Sequence, residues 1–325
     1  MNASEDPHGW QVYYETSAII ARQDLWIITL LSAVQLVILG SLLWTDAKTK
    51  KPISTAVNIL IASMIICYAL TAIFFQLFLA VENNPLRQAL FITATSLTNT
   101  GLECSVTYYV WKRGLPVIQA TAPRLQPWFI AYLVLFGLVE VSKVVAVIFE
   151  TLSEYLSVNM GSHERLRDVI NGIVTVLSFS TIVFDGFVAV MYVKYLRTAS
   201  NANLHELEKL EILSQFGIAS CVVLEIWMVS NILYNFWTSC EVPPVGLSVY
   251  TTCLRVFSLS PLVYLFLQLG MKYALWKDDT RNSRHKNERV KNARRLSEQP
   301  SDTVGTRVSK RSGFPSSMSI QNVAT

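Results

Sequence analysis

Six ionisable side chains stand inside stretches that are otherwise apolar: Glu103, Glu140, Lys143, Asp185, Glu225 and Arg255. At hydrocarbon depth an ionised group costs at least ~2.5–3.5 kcal/mol unless it is paired or wetted, so these side chains are expected to face the interior of a helix bundle. Glu140 and Lys143 are three residues apart and share a helix face, which reads as a self-neutralising pair holding the bundle together. Arg255 lies roughly 12 Å and Glu103 about 21 Å into their helices at 1.5 Å per residue. Glu225 reaches a depth it could share with Arg255, and the two form a candidate pair, either a bridge between helices or a ligand contact. Glu103 and Asp185 read as protonation-sensitive switches or as neutral, hydrogen-bonded acids. Asn231 and Asn235, four apart, share a face; they bond between helices or line a cavity.

A proline stands among these groups. In "LRVFSLSPLVYLF", Leu254 to Phe266, Pro261 has no backbone N–H and frees the carbonyl of Phe257. Ser258 and Ser260 are the nearby hydroxyls, and in a membrane helix Ser side chains or neighbouring helices re-satisfy such a carbonyl. A bend there makes the second half of the helix a lever, with Arg255 above it; a static kink is the alternative.

The elements that position these groups follow from hydropathy. Of 325 residues, 52% are hydrophobic and 15% charged, against about 25% charged in soluble domains. Apolar runs of ~20 residues, enough to cross the hydrocarbon layer, occur at Leu25–Trp44, Ile53–Val81, Ala89–Trp111, Trp128–Phe149, Val169–Val193, Ile212–Trp237 and Leu247–Tyr273. The expected fold is all-α, a seven-transmembrane helix bundle over 25–276. It is preceded by a polar extracellular segment, 1–24, with no signal-peptide pattern, and followed by a disordered basic cytoplasmic tail, 277–325.

Orientation follows from Lys and Arg, which cytoplasmic loops retain. Four fall on the side of the N-terminus and twenty-one on the other, which places the N-terminus outside and the C-terminus in the cytosol. The basic tail then faces anionic lipid, a better account of the net charge of +4 than nucleic acid. Asn2-Ala3-Ser4 is a glycosylation sequon on the outer side, and Ser297 in "RRLSEQ" has the setting of a basophilic phosphorylation site. Four of the five cysteines fall within spans, which argues against a disulfide framework.

Several chemistries are excluded. A membrane metallohydrolase uses histidine ligands at depth, and His8, His163, His205 and His285 all lie outside the spans. A retinal Schiff base needs a lysine within the last span, which offers Arg255, with Lys272 only at its end. No soluble stretch is long enough for a nucleotide-binding domain. The chain is therefore expected not to be an enzyme and to hold neither cofactor nor metal.

Three stretches carry a family resemblance. "WTDAKTKKPISTAVNIL" (Trp44 to Leu60), "LECSVTYYVWKR" (Leu102 to Arg113) and "VFSLSPLVYLF" (Val256 to Phe266) resemble the first inner loop, third helix and seventh helix of the fungal alpha-factor pheromone receptors, class D of the G protein-coupled receptors. Ser260-Pro261-Leu262-Val263-Tyr264 is also similar to the rhodopsin-type Asn-Pro-x-x-Tyr motif. The chain departs from the class D pattern in lacking a proline in the sixth span and a Gly-x-x-x-Gly pair in the first.

The resemblance implies a plasma-membrane receptor that passes an extracellular signal, in that family a peptide mating pheromone, to a heterotrimeric G protein. A homodimer is a further partner it implies. Glu225, Arg255, Asn231 and Tyr250 would then face the ligand; Glu103, Asp185 and Pro261 would form the switch; Lys112, Arg113, Lys194 and Arg197 would flank the G-protein cavity. The competing reading is a small-solute or proton-coupled transporter using the same buried charges, and a third is a seven-span scaffold in which those charges only bridge helices.

Overall fold

The computed structural model describes residues 8–48, 55–81, 84–155, 160–198, 204–238, 240 and 245–298. All regular structure among them is helical: α1 (His8–Lys48), α2 (Ala56–Ala80), α3 (Pro85–Thr121), a 3₁₀ turn (Pro123–Leu125), α4 (Gln126–Tyr155), α5 (Met160–Thr198), α6 (Leu204–Thr238) and α7 (Leu247–Glu298). Helix starts follow local chemistry. Thr55 caps α2 by accepting from the Asn58 amide at 3.2 Å, and Asn84 caps α3 by accepting from the Arg87 amide at 3.1 Å, with Pro85 in the first turn.

Two compact units divide the chain, Met1–Asp278 and Asp279–Thr325. In the second, the backbone is helical as far as Glu298, where the sequence reading expects a disordered tail from residue 277. No Gly or Pro interrupts residues 277–298, and their Lys, Arg and Glu content favours helix. Residues 299–325, and Asn2 at the other end, lie outside the described residues.

Within the first unit the helices alternate in direction. Ser63 and Thr71 of α2 meet Ser105 and Thr98 of α3. Asn231 of α6 meets Ser178 of α5, and Gln268 of α7 meets Ser220 of α6 while Tyr234 stacks on Phe257. The last helix also returns alongside the first. Lys272 donates to Asp46 of α1 at 2.9 Å and to Asn58 of α2 at 2.7 Å, and Tyr13 donates to the carbonyl of Val245. The end where α1 starts is called proximal below, and the opposite end distal.

Six helices are long and apolar enough to cross a membrane, among the described residues. Trp26, Val37, Trp128 and Val190 stand outward on these helices and are exposed, which suits lipid rather than water. The chain is a multi-pass membrane protein. The stretch expected as a third span falls in α3, which is too polar to meet that measure. The reason is its position: α3 packs on α2, α4 and α5, and its Thr98 and Ser105 side chains bond to α2 and its Thr100 and Glu103 side chains to α4 instead of meeting lipid.

Close approach sets one constraint. A Cβ on Gly114 of α3 would stand 2.8 Å from Cγ1 of the fully buried Val188 on α5. Overpacking of this kind costs about 1–3 kcal/mol, more than the ~1 kcal/mol that Ala gains over Gly in a helix. Gly114→Ala is therefore expected to lower the melting temperature of the purified protein. In a double-mutant cycle with Val188→Ala, the coupling is expected to be favourable by about 1 kcal/mol or more.

Candidate functional site

The deepest polar cluster ties α3 to α4. Lys143 Nζ lies 2.5 Å from Glu103 Oε2 and 2.6 Å from Glu140 Oε2. Thr100 of α3 donates to Glu140 at 3.1 Å and Asn99 donates to Glu103 at 2.9 Å. Glu140 is wholly buried and its Oε1 has no partner among the described residues. The expected Glu140–Lys143 pair is present, and Glu103, read as a switch or a neutral acid, is its third member. Two carboxylates thus share one ammonium at the centre of the bundle.

On the proximal side of this triad lies a cavity of about 470 Å³, within the range of small-ligand sites. Tyr68, Phe75, Trp227, Tyr234 and Phe257 give it aromatic walls, and Thr71, Thr95, Ser96 and Asn99 line it with polar groups. Asp24 is buried at its edge and accepts from Ser258 at 2.8 Å, while Tyr68 donates to the Ser258 carbonyl. Pro261 also lines it. Carbonyls around the proline are taken up: Ser260 donates to Val256 and Gln35 of α1 donates to Leu262 at 3.0 Å. The helix continues through Pro261.

None of the four residues expected to face a ligand lines this cavity. The Glu225–Arg255 pair does not form. Arg255 is exposed and its guanidinium approaches Gln23 of α1 at 3.4 Å, whereas Glu225 accepts from Cys221 one turn earlier and stands near Gly186 of α5. Tyr234 stands level with Phe257 and Ser220 with Gln268, so Glu225 lies between those two levels, too far along α6 to meet Arg255. Asn231 is a helix-to-helix tie, donating to Ser178 at 3.0 Å and accepting from Asn235 at 2.9 Å. Tyr250 is the hub of an aromatic cluster, with the rings of Tyr13, Tyr234, Trp10 and Trp237 at 5.3, 6.1, 6.3 and 6.4 Å.

The cavity's own residues carried weaker signals. Asp24 stands one position before the first apolar run, yet it lies four residues from both Ile20 and Ile28, which are buried. Tyr68, Thr71, Ala72 and Phe75 follow the helical repeat that marks one face.

The distal side holds a second cavity of about 310 Å³, lined by Tyr109, Arg113, Tyr192 and Met271 among others. Arg113 of α3 is buried, and its Nη2 lies 3.6 Å from Asp185 Oδ1 of α5. Tyr192 donates to the Arg113 carbonyl at 2.5 Å, with its ring 5.9 Å from the guanidinium. Asp185, read as a switch or a neutral acid, and Arg113, read as flanking the G-protein cavity, are therefore partners. Lys112 lies 5.6 Å from the ring centre of Tyr108, and Lys194 is exposed. Nothing is described of the Arg197 and Ser297 side chains, which lie in helical backbone.

No protein-family model, no curated protein and no solved structure matches the chain.

Removing one partner of a buried ion pair costs about 3–5 kcal/mol. Lys143→Met, which strands two carboxylates together, is expected to abolish or sharply lower the yield of folded protein. The triple variant Glu103→Gln, Glu140→Gln, Lys143→Met is expected to recover most of it, as read by size-exclusion profile and thermal denaturation in detergent.

Proposed function

We propose that the chain is a seven-transmembrane receptor, with α3 as its seventh span, that passes an extracellular signal to a heterotrimeric G protein at the plasma membrane. The observation that carries this reading is the pair of cavities at opposite ends of the bundle, walled in part by the same two helices. Asn99 and Leu102 of α3 and Phe257 and Pro261 of α7 line the proximal cavity. Tyr109 and Arg113 of α3 and Met271 and Leu275 of α7 line the distal one. A ligand that moves either helix at one end changes the shape of the site at the other. Such a shift needs only a differential affinity for two packings a few kcal/mol apart.

The excess of Lys and Arg on the distal side makes the proximal cavity extracellular and the distal cavity cytosolic. The resemblance to the alpha-factor pheromone receptors supports a peptide ligand, and the aromatic walls with buried Asp24 suit a peptide side chain. The Arg113–Asp185 contact is the switch and Pro261 its hinge. The distal surface with Lys112, Lys194 and Arg197 is the docking face.

A transporter is the second reading, favoured by the three charges of Glu103, Glu140 and Lys143 at the bundle centre. Signalling and flux separate the two. In a yeast reporter strain screened with peptides, Asp185→Asn is expected to raise basal G-protein signalling about tenfold, a shift of 1.4 kcal/mol in the equilibrium. Ser96→Phe, which fills the proximal cavity, is expected to abolish the ligand response and leave that basal rise intact. Labelled solutes crossing vesicles, with no nucleotide exchange on any G protein, would overturn the receptor reading.

A further inference from the structure

Buried beside the distal cavity, on residues that line it, are hydrogen-bond donors with nothing to bind. Arg113 has a side chain 5% exposed, and its Nε and Nη1 find no acceptor among the described residues. Its one ionic partner there, Asp185, lies at 3.6 Å, beyond the 2.7–3.2 Å of a hydrogen bond, so the contact is Coulombic only. Tyr109, also on the wall, is 1% exposed and its hydroxyl is unpartnered among the described residues. A buried donor left without an acceptor is costly, and a guanidinium is the donor set best matched to a carboxylate or phosphate, which it grips through two parallel N–H groups.

The rest of the wall is apolar or aromatic: Val117, Tyr195, Leu213, Met271 and Leu275. At about 310 Å³, the space is at the low end of the roughly 300–1,000 Å³ of small-molecule sites. The Arg113 alkyl stem and the Tyr192 ring complete a site that is cationic at one point and greasy around it.

We propose that the distal cavity is a binding site for a small amphiphilic oxyanion, a carboxylate or phosphate monoester carried on an apolar body. Its oxygens accept from Arg113 Nε and Nη1 and from the Tyr109 hydroxyl once these side chains turn from their buried positions into the cavity they line, and its apolar body lies against Met271, Leu275 and Leu213. The oxyanion takes the guanidinium at hydrogen-bond distance, where Asp185 holds it only at 3.6 Å, and so competes with the α3–α5 contact. The site is a property of these side chains and stands whether or not the chain is a receptor.

The test uses the full chain in lipid nanodiscs, with calorimetric titration of 4-phenylbutyrate, its neutral alcohol 4-phenylbutanol, phenyl phosphate and inorganic phosphate. The acid is expected to bind at least tenfold more tightly than the alcohol. Arg113→Gln is expected to erase that preference, Tyr109→Phe to weaken acid binding about threefold, and Arg124→Gln, on the exposed 3₁₀ turn, to leave it unchanged. Should Arg113→Gln fail to fold, Arg113→Lys and Tyr109→Phe carry the test, both being expected to reduce the preference. Phenyl phosphate binding above the acid supports the proposal and names a phosphate head as the source. Acid and alcohol binding alike, neither binding, inorganic phosphate binding as well as the amphiphiles, or a preference untouched by all Arg113 and Tyr109 variants would overturn it.

Discussion

A charge inside hydrocarbon has no water to fall back on, and everything in this bundle is arranged around that constraint. Lys143 illustrates it. Its ammonium stands within 2.6 Å of carboxylates on two helices, so α3 and α4 cannot slide past each other without stranding one of three charges. The neighbouring threonine and asparagine add hydrogen bonds from α3 to the same carboxylates. Such a cluster is weak evidence for net stability, because desolvation of three ions opposes their attraction. It is strong evidence for register: sliding α4 by a turn relative to α3 leaves Glu103 and Lys143 apart.

The same constraint explains why α3 can be polar. A helix facing lipid must be apolar outward, and α3 meets α2, α4 and α5 over much of its surface. Its hydroxyls bond across to Ser63 and Thr71 of α2, and its carboxylate to Lys143. In membranes, where helices gain no hydrophobic drive to associate, bonds of this kind and close packing hold bundles together. Gly114 meets the packing requirement on the α5 side of the same helix. The proline of α7 is handled likewise, with Gln35 reaching from α1 and Tyr68 from α2 to carbonyls on either side of it.

What the sequence made legible was whatever hydropathy and a single helix's periodicity can carry. The apolar runs located the helices, and Glu140 with Lys143 was readable because both stand on one helix face three residues apart. The third partner, Glu103, comes from another helix, and nothing in a linear pattern says which face of α3 meets α4. The same limit explains the failed pairing of Glu225 with Arg255: they stand at different levels of the bundle, and Glu225 turns toward α5 and Arg255 toward α1. Tyr250 and Asn231 are polar and near the proximal end, yet packing absorbs both. Asp24 was missed for a different reason, since a boundary drawn at Leu25 by hydropathy ignored a helix that begins seventeen residues earlier, at His8. The helical stretch beyond residue 277 escaped because polar composition says little about backbone once Gly and Pro are absent.

The two ionic contacts of the core differ in a way that bears on mechanism. The triad is short and its ammonium is fully engaged, whereas Arg113 and Asp185 stand 3.6 Å apart with no hydrogen bond between them. Around that looser contact gather polar atoms without hydrogen bonds: both Asp185 oxygens, Arg113 Nε and Nη1, and the hydroxyls of Tyr109 and Tyr264 have no hydrogen-bond partner among the described residues. Native proteins leave few buried groups in that condition. Six of the eleven such atoms among the described residues stand around this contact, so the distal half of the bundle can gain several hydrogen bonds by repacking or by binding something, whereas the triad leaves one oxygen, Glu140 Oε1, without a hydrogen bond. The contact with the most unmet hydrogen bonds is the one that gains most by rearranging, and α3, which carries Glu103 at the triad and Arg113 at the looser contact, is the element through which the two are joined.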